Sequence, residues 1–309
     1  MCPSVSGALP SSGITEMDAQ SVYADSTPSA AADGRLTCTL CPHACRLRTG
    51  ETGFCRARWN DGGIIRAKNY GRLTALALDP IEKKPLHHFH SGSCILSVGS
   101  FGCNLACPFC QNADIAMAND QIETEYVAPA RLAALAEELR RQPRGNLGVA
   151  FTYNEPLIGI EYIMDTAPLL HAAGLAVVLV TNGMISAEPL MRLLPHVDAM
   201  NIDLKGWRAD FYRWLGGDLE TVKTTITRAA ESGVHVEVTT LIIPDHNDAA
   251  EDMDAEARWL ASLSPAIPLH ISRYFPRHRL NTPPTPITDI DRLTEIARRH
   301  LRYVHRGNC

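Results

Sequence analysis

Three cysteines, Cys103, Cys107 and Cys110, stand in the stretch GCNLACPFCQN at spacing C-x3-C-x2-C. Thiolates this close together are metal ligands before they are anything else. A structural zinc site takes four ligands and a disulfide framework an even number of cysteines, so three leave one place open. A cuboidal [4Fe–4S] cluster has four irons, and three thiolates leave one iron free for a substrate or cofactor. Pro108 stiffens the turn, and Phe109 stands where it can shield the metal or pack on a bound ring. The competing reading is a zinc site completed by a distant ligand such as His87 or His88. A second group, Cys38, Cys41, Cys45 and Cys55, is spaced C-x2-C-x3-C-x9-C. Four sulfurs complete either a tetrahedral zinc site or an ordinary iron–sulfur cluster, and spacing does not choose. An auxiliary cluster is the preferred reading and a zinc staple the alternative.

The elements that must position these residues are legible from periodicity. Strands are expected at CILSV (94–98), GVAFT (148–152), AVVLVT (176–181), AMNID (199–203), HVEVTTLI (235–242) and PLHIS (268–272). Helices are expected at 128–142, 158–173, 187–195, 218–232, 248–263 and 287–301. Leu132, Leu135 and Leu139 share one face of the first. Repeated βα units imply a parallel sheet with right-handed crossovers, and about six repeats fall short of a closed eight-stranded barrel. Pattern alone leaves a doubly wound sheet open. Both architectures gather ligand sites at the C-terminal ends of the strands. There the chain carries the cysteine motif, then Tyr153-Asn154-Glu155-Pro156, Thr181-Asn182-Gly183, Asp203-Leu204-Lys205 and Arg273. Residues 1–33, rich in Ser, Ala, Pro and Asp, read as a disordered tail. Residues 34–93 read as a cysteine-rich module and connector, and 94–309 as the barrel.

With a formal net charge of −5 the chain has no strongly basic field, so nucleic-acid binding is not indicated. No apolar run reaches transmembrane length, and the N-terminal stretch lacks the basic and apolar regions of a secretory signal. A cytoplasmic location is expected, and there cysteine groups serve metals rather than disulfides. His87, His88 and His90 read first as a polar loop. PDHND (244–248) reads as a turn and helix cap, with weak substrate roles for His246 and Asn247, and Trp207 and Trp214 as local packing.

C-x3-C-x2-C with an aromatic before its third cysteine, after the first strand of a βα series, resembles the radical S-adenosylmethionine (radical SAM) superfamily. The resemblance implies a partial (β/α)6 TIM-like barrel. YNEP (153–156) resembles the superfamily's GGEP motif. By that match Glu155 accepts a hydrogen bond from the methionine amino group, while Asn154 and Pro156 shape the turn. TNG (181–183) and DLK (203–205) resemble stretches of the pyruvate formate-lyase activating enzymes. This assigns Thr181, Asn182 and Asp203 to the methionine moiety and ribose, and Lys205 to the methionine carboxylate. A match from residue 38 onward covers CTLCPHAC-RLRTGETGFC, DPIEKKPLHHF, GCNLACPFCQN, TYNEP, DLK and HISRYFP. In that order they resemble the AmmeMemoRadiSam-system radical SAM enzymes. DPIEKKPLHHF (79–89) is either a solvated connector or a segment packed beside the cluster or substrate. Two positions depart from the pattern: Val180 replaces an Asp of activating enzymes, and Phe275 a His of many relatives. Many subgroup members also continue into a further C-x2-C tail, whereas this sequence stops at Cys309.

The chemistry implied is reductive cleavage of S-adenosylmethionine to a 5′-deoxyadenosyl radical that abstracts hydrogen from an unidentified substrate, with the unligated iron chelating the cofactor. A ferredoxin or flavodoxin is implied as reductant, and AMMECR-type and Memo-type proteins as associates. The alternatives are a glycyl-radical activase acting on a partner protein and, outside enzymes, an electron-transfer or structural metal protein.

Overall fold

The computed structural model describes residues 34–309; the tail expected over 1–33 lies outside them. Strands β1 (Leu36–Thr37) and β2 (Arg46–Leu47) form one small antiparallel pair, β3 (Arg58–Asp61) and β4 (Ile64–Ala67) another. The principal sheet uses β6 (Ala75–Pro80), β7 (Cys94–Gly99), β9 (Gly148–Phe151), β10 (Ala176–Thr181), β11 (Ala199–Asp203), β12 (His235–Ile242), β13 (Leu269–Arg273) and β14 (Val304–Gly307). The short β5 (Arg72–Leu73) and β8 (Glu125–Tyr126) pair with each other. From β7 to β14 every pairing is parallel, and β6 joins β7 antiparallel at the edge. The sheet order runs from β14 at one edge to β6 at the other. This is the partial TIM-like barrel expected, with two more strands than the apolar runs announced.

The helices are α1 (Ala113–Ala116), α2 (Pro129–Arg140), α3 (Ile160–Ala172), α4 (Ala187–Leu193), α5 (Ala209–Trp214), α6 (Leu219–Glu231), α7 (Ala250–Leu263) and α8 (Ile287–Ala297). Leu132, Leu135 and Leu139 of α2 are all buried, as their spacing requires. The side chains of Leu96, Val149, Val177, Met200, Val238 and Leu269 join one continuous core with the helices. On the inner face Ile95, Ala150, Val178 and Ala199 form a separate apolar layer. None of the helices described is long and apolar enough to cross a membrane.

The expected boundary at 93/94 does not hold. It would cut between β6 and β7, which share six register pairs from Ala75↔Gly99 to Pro80↔Cys94. DPIEKKPLHHF is not a solvated connector, and its backbone lies away from the cysteine motif. It closes the barrel at the N-terminal ends of the strands, with Ile81 and Leu86 fully buried against the inner apolar layer. His87 and His88 are fixed there: their backbone N–H groups donate to the Glu237 carboxylate at 3.0 and 2.7 Å. Glu237 also takes His235 Nε2 at 2.9 Å and His270 Nε2 at 2.6 Å. Burial opposes its charge, but these four bonds hold Glu237 well below the usual carboxylate range. The cysteine loop follows the other end of β7. His87 and His88 therefore cannot complete its ligand set, and the zinc reading that used them is discarded.

Candidate active site at the strand mouth

Gly102 sets the entry to the cysteine loop. Its φ is +87°, and a Cβ there would stand 2.5 Å from the Cys55 carbonyl oxygen, so only glycine fits. The loop that carries Cys55 thus lies directly against the one that carries Cys103. Cys103 Sγ accepts from the Leu105 N–H at 3.3 Å and from Asn182 Nδ2 at 3.6 Å. Around Pro108 the Cys110 N–H returns to the Cys107 carbonyl at 3.2 Å. Burial pushes the Cys103 thiol far up and the Cys107 thiol to about 12, although Lys205 pulls the latter down. Metal loading must displace those protons. Among the described residues no three Cys, His, Asp or Glu side chains are gathered closely enough to hold one metal ion.

Glu155 is the hub of the mouth. It follows β9, is 2% exposed, and its N–H points to the Gly102 carbonyl at 3.4 Å. Oε1 accepts from the Leu157 N–H at 3.0 Å and the Thr181 hydroxyl at 2.6 Å; Oε2 accepts from the Asn182 N–H at 2.8 Å. A carboxylate has about four acceptor sites, so one remains on Oε2. Desolvation raises its pKa to about 7 against these three bonds. Asn182 in turn reaches Asn104 Oδ1 at 3.0 Å, within the cysteine loop. Asn154 spends its side chain on the same loop, accepting from the Ser100 N–H at 2.9 Å and donating to the Phe101 and Gly102 carbonyls at 3.2 and 3.1 Å. Its amide is scaffold for the turn rather than an open ligand.

Asp203 and Lys205, after β11, pair at 2.5 Å. Burial disfavours the Lys205 ammonium, but Asp203 and the Cys107 and Cys110 thiols outweigh it and hold the pKa above that of ordinary lysine. Asn247 Nδ2 donates to the Lys205 carbonyl at 2.8 Å, and the Lys205 N–H donates to the Tyr212 hydroxyl at 2.9 Å. The expected cap in PDHND is absent: α7 is preceded by Ala249 without a side-chain cap. Asn247 instead braces the DLK turn. Arg273 turns aside, its Nε donating to the Thr285 carbonyl at 2.6 Å.

Sequence reasoning missed two features. Tyr153 has a positive φ of 69°, uncommon for a bulky residue. Its ring lies over Gly99, its hydroxyl donates to Asp79 at 2.7 Å, and Lys84 Nζ sits 4.6 Å from its centroid. Lys84, only 3% exposed, donates to the same Asp79 at 2.8 Å. Asp79 and Lys84 of DPIEKK thus reach the YNEP turn through Tyr153. The only sequence signal was their acidic–basic pattern, which equally describes a surface loop. Trp214 is 43% exposed and packs on Phe109 and His246, with ring centroids at 6.1 and 4.8 Å. Phe109 itself is buried beneath it. Trp207 packs locally on Trp259, as expected.

The sequence profile of the Radical SAM superfamily matches residues 97–259, the cysteine loop and the strands that follow it. An uncharacterized protein of Methanocaldococcus jannaschii is 38% identical over 281 residues, covering 89% of this chain and 82% of its own. A radical SAM methyltransferase from Sphaerobacter thermophilus superposes with a TM-score of 0.55 at 18% identity, over 75% of this chain and 68% of its own. SuiB from Streptococcus suis, solved with S-adenosylmethionine, gives a TM-score of 0.52 at 16% identity over 67% of this chain and 48% of its own. At these identities the two solved structures share the fold.

Proposed function

The chain belongs to the radical SAM superfamily. From that premise we propose that Cys103, Cys107 and Cys110 hold a [4Fe–4S] cluster and that Glu155 and its neighbours hold S-adenosylmethionine. The enzyme then abstracts hydrogen from a substrate bound in the barrel. When bound, the cluster and S-adenosylmethionine supply the hard step, one-electron cleavage of the sulfonium to methionine and a 5′-deoxyadenosyl radical. The protein binds and orients. Glu155 offers its remaining Oε2 lone pair to the methionine ammonium, with Thr181 and Asn182 locking the carboxylate. Lys205 gives one of its three N–H groups to Asp203, leaving two for the methionine carboxylate. Asp203 would take the ribose, and Phe109, buried under Trp214, would keep water from the cluster. The observation that carries this reading is the chain of bonds from Glu155 to Asn182 to Cys103, which joins a free acceptor to the three-thiol loop.

A second reading, an activase working on a partner protein, draws on the aromatics at the mouth: Phe54, Trp214 and Phe275 are 39, 43 and 41% exposed. The same rim suits a ferredoxin or flavodoxin reductant. The resemblance to AmmeMemoRadiSam-system enzymes extends the proposal to AMMECR-type and Memo-type associates, an oxidoreductase role and a cytoplasmic location.

The test is anaerobic reconstitution, reduction, and EPR with and without S-adenosylmethionine while 5′-deoxyadenosine is assayed. A spectrum that shifts, with deoxyadenosine formed and both lost in C103A, C107A or C110A, is the expected result. A cluster that neither shifts nor cleaves the cofactor would make the chain an electron carrier or structural protein.

A further inference from the structure

The first cysteine group is a built site. The Cys38 N–H donates to the Cys45 carbonyl at 2.9 Å, closing the β1–β2 hairpin, and the Ala44 N–H to the Cys41 carbonyl at 3.1 Å. Gly53 and Arg58 bond through their backbones at 2.7 Å and bring Cys55 to the same place. All four thiols line one small cavity, walled by Leu40, Phe54, Arg58 and Ile158. Two backbone N–H groups already point at sulfur: Phe54 to Cys45 Sγ at 3.4 Å and Arg58 to Cys55 Sγ at 3.3 Å. Arg58 is 2% exposed and gives Nη1 to Glu161, but its buried Nε has no partner. Arg58, ion-paired with Glu161, thus brings a buried cation to the wall of the four-thiol cavity, which favours an anionic occupant.

Geometry separates the two occupants. Zinc holds thiolates at about 2.3 Å, so its four sulfurs stand about 3.8 Å apart. No three Cys, His, Asp or Glu side chains among the described residues are gathered to hold one ion. Cys103, Cys107 and Cys110, whose motif is a cluster motif, are likewise not gathered on one ion. A cubane takes each sulfur on a different iron and so needs them farther apart. We propose that Cys38, Cys41, Cys45 and Cys55 hold a second [4Fe–4S] cluster, fully ligated by protein and seated against the loop that carries Cys103. The seating is direct. The Cys55 carbonyl abuts Gly102, His43 Nε2 lies 2.8 Å from the Asn104 carbonyl, and the Ser186 N–H donates to the Leu40 carbonyl at 2.9 Å.

The inference stands apart from the function proposed above, and one experiment separates them. Wild type and a C103A/C107A/C110A variant are reconstituted anaerobically as full chains. Iron, sulfide and zinc are counted per chain, folding is checked by circular dichroism, and EPR is recorded after reduction with and without S-adenosylmethionine. The expected result is about eight irons and eight sulfides in wild type and about four of each in the variant. The variant's EPR signal should ignore S-adenosylmethionine. A folded variant holding one zinc and no iron, two irons only, or no metal overturns the second cluster and leaves the first untouched. A variant that keeps four irons while wild type shows no response to S-adenosylmethionine upholds it and sinks the functional reading.

Discussion

Glu155 is a buried carboxylate that the fold has already partly satisfied. Three of its acceptor sites are filled by the chain, so replacing it with glutamine turns one oxygen into a donor facing a donor. Leaving a buried group unmatched costs about 1–3 kcal/mol. E155Q should lower the unfolding free energy by that amount in urea melts and also weaken S-adenosylmethionine binding in calorimetry. A loss of stability with affinity unchanged would assign Glu155 to the scaffold alone. YNEP and the three cysteines were legible because their types and spacing are local. The filled state of Glu155 was not, because its partners Thr181 and Asn182 lie on the next strand end.

Helix α7 shows a different kind of burial. Glu256 faces β12 and accepts from the Thr240 hydroxyl at 2.5 Å. Desolvation, helped by Asp252, raises its pKa to about 8 from an ordinary 4.5. Between those values the folded chain keeps a proton that the unfolded chain has released, so stability falls as pH rises through the window. E256Q, neutral at every pH, should flatten that slope and be more stable than wild type at pH 8.5 by up to about 5 kcal/mol. Urea melts at pH 5 and pH 8.5 would check this; an unchanged slope would mean that Glu256 is ionised in the fold. The pattern of α7 announced a helix, but not which acidic residue faces the sheet, because Glu251, Asp252, Asp254 and Glu256 crowd nearly two turns.

In the described residues the barrel is closed at one end, and at the other the two cysteine groups meet. Leu86 is fully buried in the plug under the strands. L86A should cost about 2–5 kcal/mol, seen as a fall in Tm. A loss under 1 kcal/mol would mean that the plug is loosely seated. At the mouth, G102A forces a side chain onto the Cys55 carbonyl in a left-handed conformation, a strain of about 1–3 kcal/mol before the clash is counted. It should lower Tm and the iron content at both cysteine groups together, since the two loops share that contact. Iron lost from one group alone would show them independent.

Cysteine spacing, strand periodicity and the polar residues after each strand need only nearest neighbours in the chain, and from them a parallel βα sheet with polar strand ends could be read, together with the radical SAM resemblance that implied the barrel. What lies beyond is a matter of long-range pairing. Asp79 and Lys84 reach Tyr153 some seventy residues away, Glu237 collects histidines from the connector and β13, and Cys55 meets Gly102. β6 and β14, at the two sheet edges, are placed by their pairing with β7 and β13. Such contacts depend on where the folded backbone brings distant residues, and a linear pattern carries no record of that.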